Sequence, residues 1–270
     1  MKSVTPSELW WLRVRAVARR HAYVLQRSPG RWFDVVFWPV VDATLFGALG
    51  VYFGRSSGLG AEGVGYLLSG IILFHVVFQA EISLATGFME ETWSRNLLNL
   101  MVTPLRESEF VGGVVLFGLV KLLIGMVTVS LAAFALFAFQ ITSLGLALIP
   151  IVAVLLVVGY SVGLIVIGLI LRAGQGAEIL AWGLLAMAMP LSGIFYPLSA
   201  LPGFLQPVAQ ALPTTHAFEA AHAVVAGHHL PWGQVGLAAA TSVLLAVAAA
   251  AFVVRMLRVF RVRGFISRHT

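Results

Sequence analysis

The sequence contains no cysteine and only two lysines, and charged residues make up just 10% of its 270 positions. Without thiols, disulfides, thiol catalysis and zinc–thiolate centres are excluded. The lysines are Lys2 and Lys121, and neither follows a glycine, so no phosphate-binding loop of the Gly-x4-Gly-Lys-Ser/Thr type is present. There is no His-Glu-x-x-His zinc helix and no Gly-x-Ser-x-Gly nucleophile turn. These absences predict a chain that is not an enzyme, with no cofactor and no metal of its own. Work done against a gradient must draw on a partner or on ion flow. No stretch is long and polar enough to form a separate soluble domain.

Apolar sequence is abundant. Hydrophobic residues make up 60% of the chain, far more than a water-exposed surface of this size tolerates. Lipid can cover such an exterior, and about 20 apolar residues suffice for a helix that crosses it. Six apolar segments qualify, at about 32–54, 64–88, 110–138, 143–171, 177–197 and 233–257. The predicted fold is an all-α integral membrane protein of six transmembrane helices, with a permease domain over 32–257.

Residues 1–31 read as an amphipathic interface helix rather than a signal peptide, being Arg-rich throughout and without an apolar core. Thr5 and Glu8 have capping-box spacing, Pro6 suits the first helical position, and Trp10, Val14, Val17 and Val24 form one stripe. Arg13, Arg15, Arg19, Arg20 and Arg27 make up a basic remainder, and Ser28-Pro29-Gly30 ends the helix. Such arginines beside apolar segments favour anionic membrane lipids, and not nucleic acid, as the partner. A basic tail occupies 258–270.

Basic residues also orient the chain. Lys2 and the arginines up to Arg31, then Arg95, Arg106, Arg172 and the cluster Arg255–Arg268, fall on one side if there are six spans, leaving only Arg55 opposite. By the positive-inside rule both termini are cytoplasmic, which for a bacterial chain means the inner membrane.

Two segments depart from simple spans. In the loop 90–109, Thr92 can cap a short helix that Pro104 stops, and Trp93, Leu97, Leu100 and Met101 share its apolar face. That face needs the N-terminal helix, lipid or another protein to cover it. Between spans five and six, 197–230 is broken by Pro197, Pro202, Pro207 and Pro213. Short re-entrant or interfacial helices fit there, forming an outer hairpin.

The order of motifs resembles the ABC-2 family, permease subunits of bacterial ABC exporters. Glu91, Leu97, Leu98 and Thr103-Pro104-Leu105 are similar to its cytoplasmic coupling segment. Gly193–Leu198, Leu201-Pro202 and Leu212–His216 are similar to its fifth span and outer hairpin, and Phe37-Trp38-Pro39 to its first span. The resemblance implies a half-transporter that pairs with a second permease copy as a homodimer and with two copies of an ATP-binding subunit, which would hold ATP and Mg. It implies coupling through Glu91, Trp93, Leu97, Leu100, Met101, Thr103 and Pro104. Phe195, Tyr196, Pro197, Pro202, Phe204, Pro213 and His216 are the implied outer-hairpin residues, and the aromatics among them could line the exit or anchor the interface. The substrate would be amphipathic: a drug-like molecule, a lipid or a lipid-linked glycan. The alternative from another class is an ion-coupled secondary transporter, against which the two halves show no internal repeat.

Within the spans, Asp42, Glu81 and Lys121 lie at comparable depth, roughly 10–15 Å from the cytoplasmic ends. They are expected to pair across the first three spans as a structural lock, or else to line the substrate path. His75 and Gln79 share a turn and read as hydrogen-bonded packing. His216, His222, His228 and His229 match no metal-ligand spacing. Gly159 and Gly163 form a small-x3-small pair for close helix packing, within the protomer or between copies.

Overall fold

The computed structural model describes residues 5–57, 60–93 and 103–263. Among these the chain is helical, with no strand. The helices are α1 (Pro6–Gln26), α2 (Pro29–Ser57), α3 (Gly60–Trp93), α4 (Glu107–Phe137), α5 (Leu148–Ala173), α6 (Leu180–Ala188), α7 (Gln206–Gln210), α8 (Pro213–Val225) and α9 (Trp232–Arg263). Leu97, Leu100 and Met101, and with them most of the expected coupling helix, lie outside the described residues.

The start of α1 follows from its sequence. Thr5 Oγ1 accepts from the Glu8 amide at 3.3 Å, and Glu8 Oε2 accepts from the Thr5 amide at 2.8 Å. That backbone bond, with a second from the Thr5 hydroxyl, holds the Glu8 carboxyl below its usual range. Only Arg27 and Ser28 separate α1 from α2, so the chain turns directly from the amphipathic helix into the first span.

Among the described residues, five helical stretches are long and apolar enough to cross a membrane: Val35–Arg55, Glu62–Glu91, Ser108–Phe137, Ile141–Ala173 and Trp232–Val259. They are not equivalent. In α3, 89% of the spanning stretch is buried inside the protein, against 28% in α2 and α4 and 22% in α9. α3 is therefore the hub, packed by α2, α4, α5, α6 and α8. Gly159 and Gly163 seat α5 against it. A Cβ at Gly159 would stand 2.5 Å from the Val77 carbonyl oxygen, and one at Gly163 would stand 3.0 Å from that of Glu81. The small-residue pair thus serves packing within the chain.

The fifth expected span, 177–197, is not one α-helix. It consists of a 3-10 stretch (Gln175–Ile179), the nine-residue α6 and a second 3-10 turn (Met189–Leu191). Pro190 has no amide to continue the α-helical ladder, and Gly174, at φ 78°, breaks the chain away from α5. This segment still runs the length of α3. Ala177 and Ala181 share an apolar cluster with Ile82, Leu84, Ala85, Phe88 and Met89 near the C-terminal end of α3. At the other end, the Tyr66 hydroxyl donates to the Gly193 carbonyl at 3.2 Å. From Tyr66 to Phe88 is roughly 33 Å at 1.5 Å per residue.

The segment 197–230, expected as a hairpin, consists of short helices and turns. A 3-10 turn at Leu198–Ala200 leads to α7 and α8. Helix α8 is wedged against α3, α5 and α9, and its Phe218 is fully buried in the main core with Leu68, Ile71, Leu155 and Val158.

Candidate functional site

The structure concentrates its charge at one end, where α1 lies across the bases of α3 and α4. Of the stripe of α1 read from the sequence as an interface face, Val14 and Val17 are buried against α4 while Trp10 and Val24 are half-buried, so part of that face packs on protein. Two glycines let the helices close. A Cβ on Gly113 would stand 2.5 Å from Val17 Cβ and 2.9 Å from the Val14 carbonyl oxygen, and one on Gly112 would lie 3.5 Å from the Trp10 ring.

On one flank of that stripe, α1 reaches both sides of the loop 90–109. Arg20 binds Glu91 through both guanidinium nitrogens, Nη2 at 3.1 Å and Nη1 closer. Arg13 Nη1 donates to both oxygens of Glu109, at 3.2 and 3.3 Å. His21 Nδ1 lies 3.6 Å from Glu90 Oε2, and its ring stacks on Phe117. Glu109 also accepts from the Arg106 amide at 2.7 Å, so one carboxylate caps α4 and holds α1. The Glu91 and Glu109 side chains are 1% and 2% exposed. Each carboxylate is covered by its arginine, whose own guanidinium stays partly open to solvent. The loop is thus bracketed by Glu90 and Glu91 at the end of α3 and by Glu109 at the start of α4, and α1 clamps both brackets. Thr103, Pro104 and Leu105, where the loop returns, line a cleft of about 330 Å³ with Arg13, Ala16, Val17, Arg20 and Phe110.

Of the expected coupling residues, Glu91 sits in the clamp and Thr103 and Pro104 at the cleft. Trp93 ends α3, with its side chain outside the description. Sequence reasoning placed Arg13 and Arg20 in an undifferentiated basic face and overlooked Glu90, Glu109 and His21. The available signal was the seven-residue step from Arg13 to Arg20 beside the Val14–Val17 stripe, together with carboxylates at both ends of the same loop.

The intramembrane charges do not form the expected trio. Asp42 Oδ2 lies 3.4 Å from His75 Nε2, while His75 Nδ1 donates to the Ile71 carbonyl at 2.8 Å. Glu81 is fully buried and neither carboxylate oxygen has a hydrogen-bond partner. The reason is rotational. Gln79 and Ser83 approach α4 at Gly125 and Gly118, and Glu81, two residues from each, points about 200° away. Lys121 shares the Gly118–Gly125 face of α4 and is half-buried.

At the opposite end the hairpin is held by polar bonds. Ser192 and Thr214 hydroxyls are 2.7 Å apart, and the Tyr196 hydroxyl donates to the Pro190 carbonyl at 2.7 Å. His216 lies between Gln234 Oε1, at 2.8 Å, and the Gln210 carbonyl, at 2.9 Å. His222 is stacked on Tyr66 with centroids 3.6 Å apart, and burial pushes its pKa down to about 4. Phe195 stacks on Phe46 of α2 at 4.5 Å and does not stand in an open exit. Pro197 opens the 3-10 turn and Pro213 opens α8, while Pro202 and Phe204 stay exposed between them. Among the described residues, no three His, Asp or Glu side chains gather as a metal site.

The sequence matches the ABC-2 type transporter family over residues 8–226. It is also similar to the inner membrane transport permease YadH of Escherichia coli K12 and to its namesake in Shigella flexneri. Both are 22% identical over 215 residues, covering 77% of this chain and 80% of the relative.

Proposed function

Because this chain belongs to the ABC-2 type transporter family, a multi-pass permease of the inner membrane, we propose that it is the membrane-spanning subunit of an ATP-driven exporter, paired with a second copy of itself and powered by two copies of a separate ATP-binding subunit. The observation that carries this reading is the clamp. Arg20–Glu91 and Arg13–Glu109 join α1 to the two helices that flank the loop 90–109. A force applied to that loop or to α1 is delivered to α3 and α4 together, and α3 is the most enclosed helix of the bundle. This is how a motor in another chain could drive the spans, and no nucleotide-binding loop exists in this one.

Six crossings with both termini cytoplasmic follow on this reading. The segment 175–191 has nine α-helical and eight 3-10 residues, about 30 Å end to end at about 1.5 and 2.0 Å per residue. That equals the hydrocarbon thickness of about 30 Å, and the segment's contacts run from one end of α3 to the other. The hairpin then lies on the outer side, with α8 entering the bundle shielded by protein. Exposed apolar faces on α2, α4 and α9, such as Trp38, Leu123 and Leu244, require lipid or the second copy.

The deciding experiment co-expresses the chain with a candidate ABC-type ATP-binding subunit from the same genome, then measures co-purification, vanadate-sensitive hydrolysis and transport in inverted vesicles. Association with hydrolysis and outward-directed transport is expected. A chain that transports down an ion gradient without any ATPase would replace this reading with a secondary transporter.

A further inference from the structure

Glu81 is an anomaly in the bundle. It is 0% exposed, and both its oxygens lack a hydrogen-bond partner. An isolated carboxylate at this depth is costly, and packing alone would be served by an apolar side chain. Among the described residues, no cation hydrogen-bonds to it. Lys121 lies on the opposite side of α3, and Asp42, not Glu81, faces His75. Helix α5, packed along this side, carries only Arg172, nine residues past the Gly163 contact and so roughly 14 Å along the axis. Helix α6 carries no basic residue.

What this side does carry is aromatic. Phe74, Phe78 and Glu81 follow one another at helical spacing on a single stripe of α3. Phe78 meets Trp182 of α6 with centroids 5.7 Å apart, and Phe74 lies 6.3 Å from Phe78. Ring faces one turn from an unpaired carboxylate favour a cation with an apolar body. The wall over this stripe is the least regular of the crossing segments. Helix α6 is nine residues long, bounded by 3-10 turns, with Gly174 at positive φ before it.

We propose that Glu81, Phe78 and Trp182 form a recognition point for an organic cation, exposed when α6 withdraws from α3, and that the cargo is a lipophilic cation. This rests on the reading of the chain as a permease. The cation's apolar body lies on the Phe74–Phe78–Trp182 rings while its charge meets Glu81, so a size-matched anion gains nothing.

The test is equilibrium binding of tetraphenylphosphonium to the full chain in phosphatidylcholine nanodiscs, with and without the ATPase, empty discs being subtracted. Tetraphenylborate serves as the size-matched anion. The wild type should bind the phosphonium and discriminate against the borate. Glu81→Gln should weaken phosphonium binding about ten- to a hundredfold, the scale of attraction between opposite charges held about 6–8 Å apart by the phenyl rings in a partly buried site. Trp182→Ala, at a half-exposed position, should weaken it about fivefold or more, and it decides the matter should Glu81→Gln fail to reach the membrane. Equal binding of both ions, no phosphonium binding by the wild type, or full binding by these variants would overturn the proposal. Phosphonium binding by a chain that never associates with an ATPase would instead leave this site standing and remove the exporter reading.

Discussion

Gly113→Ala tests whether α1 must stay seated on α4. The added methyl would stand 2.5 Å from Val17 Cβ, 2.6 Å from its Cγ1 and 2.9 Å from the Val14 carbonyl oxygen. Carbon atoms in contact prefer about 3.5–4.0 Å, so α1 has to back off by about 1 Å. Overpacking of this kind costs about 1–3 kcal/mol, and for a chain of this size that lowers Tm by about 3–10 °C. The same displacement carries Arg13 beyond hydrogen-bond range of Glu109, since its bonds are already 3.2 and 3.3 Å long. Melting of the purified protein should therefore shift down, and ATP-dependent transport in proteoliposomes should fall further than ATP hydrolysis does. Side-chain detail sharpens the test. Val17→Ala removes Cγ1 but keeps the Cβ at 2.5 Å, so it should not rescue Gly113→Ala, whereas Val17→Gly should rescue in part. A Gly113→Ala protein with unchanged Tm and unchanged transport would refute the idea that α1 must seat closely to transmit force.

Three other outcomes follow from the same geometry. Arg13→Glu and Glu109→Arg should each impair assembly, and the double swap should recover part of it, measured as yield of monodisperse protein. The recovery stays partial because Glu109 also caps α4 through the Arg106 amide. Replacing Trp93, Leu97 and Met101 together with Ala should leave membrane insertion intact while abolishing ATPase co-purification or coupled transport; full coupling would remove these residues from the interface. His222 is neutral and buried, with its pKa near 4 against about 6.5 when unfolded. The unfolded chain therefore binds the extra proton first. The contribution of His222 is intact above about pH 6.5 and declines by up to about 3 kcal/mol as pH falls toward 4. Burial raises the Glu219 carboxyl, which tilts the profile the other way. His222→Phe should flatten the acid-side loss of Tm, and an unaltered slope would assign that loss elsewhere.

How much was legible in the sequence varies with the range of the interaction. The α1 capping box formed as its residues specified, because Thr5 and Glu8 are three apart and need nothing else. Helix length, apolar content and the sidedness of arginine are likewise properties of single segments. The fifth span shows where this reading overreached: 177–197 has the hydropathy of a span, but Pro190 and Gly174 divide its backbone. The partners of the charges were not legible. A helix that meets protein on one side and lipid on the other is apolar all round, so its sequence carries no mark of its rotation. Gln79, Glu81 and Ser83 sit within five residues, yet a turn of about 200° sends Glu81 away from the lysine it was expected to meet. Local sequence specifies a basic, multi-span α-helical bundle with an apolar-faced loop on its charged side. It took the packed helices to set that Arg13 and Arg20 hold that loop at both ends, that Gly159 and Gly163 serve packing inside the chain, and that Glu81 is left without a hydrogen-bond partner. Those outcomes depend on how neighbouring helices rotate and how closely they approach, which glycine-permitted contacts set and hydropathy does not record.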